Sequence, residues 1–100
     1  MVKHIVFWRL RGDLSAADRE AALQRIKKGF EALPGKIPGL LKIEIGFDYG
    51  RGADAADIAL YSEFDSRAAL AGYEAHPEHM ALVPIVRDVR TEKRVVDFES

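Results

Sequence analysis

The chain has no cysteine among its 100 residues. A disulfide, a thiolate nucleophile and a zinc–thiolate site are therefore excluded by composition alone. Long apolar runs are missing too: nothing approaches the roughly 20 apolar residues of a membrane-spanning helix. Charge of one sign is also lacking, since 15 basic against 16 acidic residues leave a net charge of −1. No global field draws in nucleic acid or an anionic membrane, and neither is expected as a partner. The one basic cluster, Arg87, Arg90, Lys93 and Arg94, is interrupted by Asp88 and Glu92 and reads as a solvated face. Histidine is scarce, with three in all. A catalytic metal usually takes three protein ligands, and His76 is committed to a proline junction, so neither metal nor cofactor is expected. There is no repeat, linker or low-complexity tract, so residues 1–100 read as one domain. Met1 to His4 leads directly into a strand pattern, and a cytoplasmic location is the expectation that follows.

What is present is strongly patterned. Val2 to Leu10 is rich in β-branched and aromatic residues and reads as a strand, with Val2, His4, Val6, Trp8 and Leu10 on one face and Lys3, Ile5, Phe7 and Arg9 on the other. Ser15 opens a helix with Asp18 as the acidic member of a capping box. Leu23, Ile26, Phe30 and Leu33 form its apolar stripe, and Pro34-Gly35 stops it. From Leu40 to Asp48, Leu41, Ile43, Ile45 and Phe47 alternate with Lys42, Glu44 and Asp48. Gly50-Arg51-Gly52 has no helix start behind it and belongs to a hairpin loop. Asp57 to Asp65 is a third strand, with Ile58, Leu60 and Phe64 on one face. Ser66 caps a second helix carrying Leu70 and Tyr73, and Thr91 to Phe98 is the last strand.

The order β-α-β-β-α-β is the ferredoxin-like plan, an α+β fold with a four-stranded antiparallel sheet and helices on one face. Apolar side chains nevertheless fall on both sheet faces: Trp8 opposite Phe7, Leu40 opposite Leu41, Leu60 opposite Tyr61, Val95 opposite Val96. A lone subunit leaves the second set in water, which is costly for a large patch. A homodimer that puts the two sheets face to face as a barrel is the simplest remedy.

The stretch "YEAHPEHMALV", residues 73–83, holds two of the histidines. The residue before a proline avoids the α region, and proline suits the first position of a helix. His76-Pro77 is thus a helix junction, with His76 at the cap of a new helix running through Met80, Leu82, Val83, Val86 and Val89 and kinked at Pro84. His79 lies inside that helix on a partly apolar face. Near the Tyr73 hydroxyl, it has the type and placement for proton transfer near neutral pH; the alternative is a hydrogen-bonded core histidine. His4 shares a strand face with Val6 and Trp8, and alternation alone allows that face to meet either the helices or the dimer interior. Trp8 and Tyr61 are candidates to line a pocket, or core aromatics.

"MVKHIVFWRL", "LPGKIPGLLKIEIG", "YEAHPEHMALV" and "VVDFE", taken together and in this order, resemble the stress-responsive A/B barrel (Dabb) family. The resemblance implies a ferredoxin-like subunit forming a dimeric α+β barrel. It implies no single chemistry. Many members have no known activity, plant members are associated with stress tolerance, and one branch cyclises polyketides by intramolecular aldol condensation without a cofactor. In that branch the acid–base pair is a tyrosine and the second histidine of His-Pro-x-His, which fall on Tyr73 and His79, and the strand-one histidine of the pocket falls on His4. The first helix here has no tyrosine and the third strand no histidine, with Tyr61 the only comparable group there. Two functions follow. One is a dimeric barrel with a small-molecule or stress-related binding role. The other is a cofactor-independent enzyme, a cyclase, aldolase or monooxygenase-like protein, acting on a hydrophobic carbonyl compound through Tyr73 and His79.

Overall fold

A computed structural model describes residues 1–100 as β1 (Val2–Leu10), α1 (Ala16–Glu31), β2 (Leu40–Phe47), β3 (Ile58–Phe64), α2 (Arg67–Ala75), α3 (Pro77–Met80), α4 (Val83–Arg87) and β4 (Arg90–Glu99). The strands form one antiparallel sheet in the order β2-β3-β1-β4. This is the ferredoxin-like arrangement, with the helices on one side. The Ser15 hydroxyl accepts from the Asp18 N–H at the start of α1, and Ser66 does the same for Ala69 at the start of α2.

Parity decides which side chains meet the helices. Val2, Val6, Trp8 and Leu10 of β1, Ile43 and Ile45 of β2, and Ile58, Leu60 and Phe64 of β3 are buried with Leu23, Ile26 and Phe30 of α1 and Leu70 and Tyr73 of α2. His4 belongs to this helix-covered face, which settles the choice that alternation left open.

Two expectations are corrected. Leu41 does not join Ile43 in the core: a bulge between Leu40 and Lys42 inserts one residue, so Leu40 is buried and Leu41 exposed. Gly39, at φ +80°, makes the bend before it, and a Cβ there would fall 2.4 Å from the Ala69 Cβ. The segment after Pro77 is not one kinked helix but two short ones, α3 and α4. Pro84 sits in the first turn of α4, where its missing N–H costs nothing and its ring opposes continuation from α3.

The sheet edges differ. On β2, Lys27 of α1 donates to the Ile45 carbonyl (2.9 Å), Glu31 accepts from the Ile45 N–H (3.0 Å), and the two charges meet at 2.8 Å. This clip occupies backbone groups that an edge strand otherwise offers to another chain. The opposite edge, β4, is exposed along nearly its whole length. No helix of the fold is long and apolar enough to cross a membrane.

Candidate functional site

Among the buried residues only His4 and Ser62 are polar, and they are direct cross-strand neighbours on β1 and β3. A buried polar group needs partners. The Ser62 hydroxyl, fully enclosed, donates to the His4 carbonyl at 2.9 Å and pins the backbone there. On the other side of β1 the register sets His4 opposite Asp97 of β4, and the imidazole Nδ1 lies 2.5 Å from the Asp97 carboxylate. The carboxylate only accepts, so Nδ1 carries a proton towards it.

α2 delivers the second group. Tyr73 is packed against the His4 ring (centroids 6.0 Å apart) and the Phe64 ring (5.1 Å). Burial, and next to it the Glu74 charge, raise its phenol well above the ordinary tyrosine range. It is therefore a proton donor that does not ionise near neutral pH. Its hydroxyl makes no hydrogen bond within the chain, although the structure contains no sealed side-chain polar atom without a partner. The hydroxyl must then lie on the trace of surface that the residue keeps.

α3 folds back over this pair. The His79 ring packs tilted against Tyr73, centroids 4.3 Å apart at 41°, and meets Phe30 of α1 at 6.2 Å. Its Nδ1 is 3.2 Å from the Glu74 carbonyl, which only accepts, so His79 also carries its proton on Nδ1 and leaves Nε2 free. Burial lowers its titration below the ordinary imidazole value; the Glu74 carbonyl and charge oppose this, while Lys93 and His4 reinforce it. His76, three residues earlier, differs in tautomer and in use: its Nδ1 accepts from the Glu78 N–H at 3.1 Å as the cap of α3. Its lone pair is spent on the helix end.

The expected residues thus separate. His4, Tyr73 and His79 converge. Trp8 is on the same face but is buried in the core, reaching the group only through Phe30, 5.6 Å away. Tyr61 does not belong: it pairs with Ile5 and Glu44 on the outer face, where its hydroxyl donates to Glu63 at 2.5 Å. The alternation that buries Leu60 already requires this. Asp97 was not anticipated; only the β1–β4 register reveals it. His79 does not sit within one long helix as expected: α3 ends at Met80, and its ring packs against Tyr73 and Phe30. No three metal-ligating side chains come together anywhere in the chain.

The sequence pattern of the stress responsive A/B barrel domain matches residues 2–100. The chain belongs to this family. Among solved structures, a dimeric protein of unknown function with a ferredoxin-like fold from Bacteroides fragilis is 38% identical, with a TM-score of 0.92 over 99% of this chain and 95% of that one. A dimeric ferredoxin-like protein from Thermobifida fusca is 23% identical, with a TM-score of 0.84 over 99% and 90%. A hydroxynitrile lyase from Passiflora edulis is 23% identical, with a TM-score of 0.79 over 97% and 90%. These last two likenesses concern the fold alone. No curated protein matches the chain.

Proposed function

We propose that this Dabb protein is a homodimer carrying a cofactor-independent acid–base site for a small hydrophobic carbonyl compound. The observation that carries the reading is the close Tyr73–His79 pair, a non-ionising phenol against an imidazole with a free Nε2. The Tyr73 hydroxyl donates to the carbonyl oxygen of the substrate. His79 Nε2 takes a proton from the adjacent carbon, and the C–H electron pair becomes an enolate whose oxygen Tyr73 holds. Enolate formation is the shared first step of aldol, cyclisation and isomerisation chemistry.

The dimer is supported by the outer sheet face, where Phe7, Val96 and Phe98 are 40%, 52% and 42% exposed, and by dimeric relatives of the same fold. A second reading, binding without chemistry, is favoured by one observation. The larger cavities, about 290 to 480 Å³, lie at the outer face, the loop end and the α2 flank, and neither Tyr73 nor His79 lines them.

The test is α-hydrogen exchange of 4-phenylbutan-2-one in D2O, followed by proton NMR. The protein should accelerate exchange over buffer. His79→Ala should abolish the acceleration and Tyr73→Phe reduce it by about a hundredfold, both with the dimer intact. Retention of the ketone with no exchange by any form favours the binding reading.

A further inference from the structure

We infer that the cleft at the loop end of the sheet is a separate binding site, which takes an oxyanion, the phosphate or carboxylate end of a small molecule, against Arg9, Arg19 and Arg51. The cleft lies where β1 and β2 end and β3 and β4 begin, towards the other end of β1 from His4. It shares no residue with the Tyr73–His79 pair, so the inference stands apart from the acid–base reading.

The cleft, about 480 Å³, is bordered by arginines from three elements: Arg9 at the end of β1, Arg19 near the start of α1, and Arg51 in the β2–β3 loop. Two of them are already held. Arg9 donates through Nη2 to the Ala53 and Ala55 carbonyls at 3.1 and 3.0 Å, which ties the loop to the strand. Arg19 donates to Asp57 at 3.3 Å. Long side chains fixed before a ligand arrives lower the ordering cost of binding.

Two carboxylates share the lining, and both are engaged. Asp57 accepts from the Leu10 N–H at 2.7 Å as well as from Arg19, and Asp48 accepts from the Arg51 N–H at 2.8 Å. Three guanidinium groups against two carboxylates leave the lining one positive charge in excess. Arg9 and Arg19 have carboxylate partners in Glu92 and Asp57. The Arg51 guanidinium pairs with no group of the chain; only its backbone is tied, to Asp48.

The backbone marks the same residue. Arg51 is the one residue other than glycine at positive φ, +53°. A Cβ is strained in this left-handed region and glycine is not. With Gly50 and Gly52 on either side, a third glycine would make the turn more easily, so the strain points to a use for the side chain. A guanidinium meets an oxyanion with two parallel N–H donors. Three such groups suit the three free oxygens and nearly double charge of a phosphate better than the two oxygens of a carboxylate. The donors are side chains, so no helix start is needed behind the loop.

The experiment titrates inorganic phosphate, and separately acetate, into the protein and follows the arginine Nε–H signals by NMR. Phosphate should shift Arg9, Arg19 and Arg51 saturably and bind about tenfold or more tighter than acetate. Equal binding of acetate assigns the site to a carboxylate instead. Arg51→Gly, which suits the left-handed backbone, should weaken binding by about tenfold or more with the fold intact. Arg51→Gln, which keeps the strain and removes the charge, should do the same, whereas Arg94→Gln, outside the cleft, should change nothing. Shifts that stay linear with phosphate, or saturable binding that survives both Arg51 variants, overturn the inference. Equal weakening by Arg94→Gln also overturns it, because general surface charge then accounts for the binding.

Discussion

The two faces of the sheet both carry apolar side chains but treat polar groups in opposite ways. On the helix-covered face three polar groups are tied down: Ser62 to the His4 carbonyl, His4 to Asp97, His79 to the Glu74 carbonyl. On the outer face polar side chains lie over rings, Lys3 over Phe98 and Lys42 over Tyr61, each at 5.7 Å. The first arrangement fixes geometry, as proton transfer requires. The second shields aromatic surface with a flexible cation that is easily displaced, which suits an interface. An aromatic residue by itself therefore does not indicate a site; its face does.

Substitutions that attack one face at a time separate these roles. Phe30→Ala, removing a ring that touches Trp8 and His79, should cost about 3 to 5 kcal/mol in urea unfolding while leaving the two-chain assembly detectable in its folded fraction. Phe98→Glu should act in the reverse sense. It should raise the dimer dissociation constant by a hundredfold or more, about 3 kcal/mol, visible in sedimentation as an 11.2 kDa species with its secondary structure intact.

Smaller effects sharpen the contrast through pH. His79 has a folded-state pKa lowered mainly by burial, so the unfolded chain binds the proton more readily. Stability should fall as pH drops below the ordinary imidazole value of about 6.5 and level off below the lowered folded value, and His79→Gln should flatten that part of the profile. The Glu31 carboxyl is held low by Lys27 and the Ile45 N–H. Its contribution should be present above the ordinary carboxylate range and be lost as pH falls through the lowered folded value. Glu31→Gln should remove about 0.5 kcal/mol of it. The smallest change is expected at the junction: His76→Asn should shift stability by less than about 0.5 kcal/mol, because asparagine also caps.

Much of this was legible in the sequence because it rests on local rules. The alternation of β1, the Ser15 and Ser66 caps, and the His76-Pro77 junction each follow from a few adjacent residues, and each has its structural counterpart. The same alternation, followed through, puts Tyr61 opposite Leu60 and away from His4. What was hidden depends on partners far along the chain. Asp97 is an exposed charge on an edge strand until the β1–β4 register brings it to His4, 93 residues away. The Leu40–Lys42 bulge inverts Leu41 against a pattern that otherwise reads cleanly. The break between α3 and α4 escaped because apolar spacing continues through Leu82, Val83 and Val86 although the hydrogen-bond ladder does not.

The central claim, that chemistry belongs to the helix-covered face and assembly to the other, is tested most directly by titrating the labelled protein with 4-phenylbutan-2-one and mapping side-chain NMR shifts. The account predicts saturable shifts at Tyr73, His79 and His4, with Phe7, Val96 and Phe98 unmoved. Shifts confined to Phe7, Val96 and Phe98, with the Tyr73 and His4 signals unchanged at saturation, would contradict it.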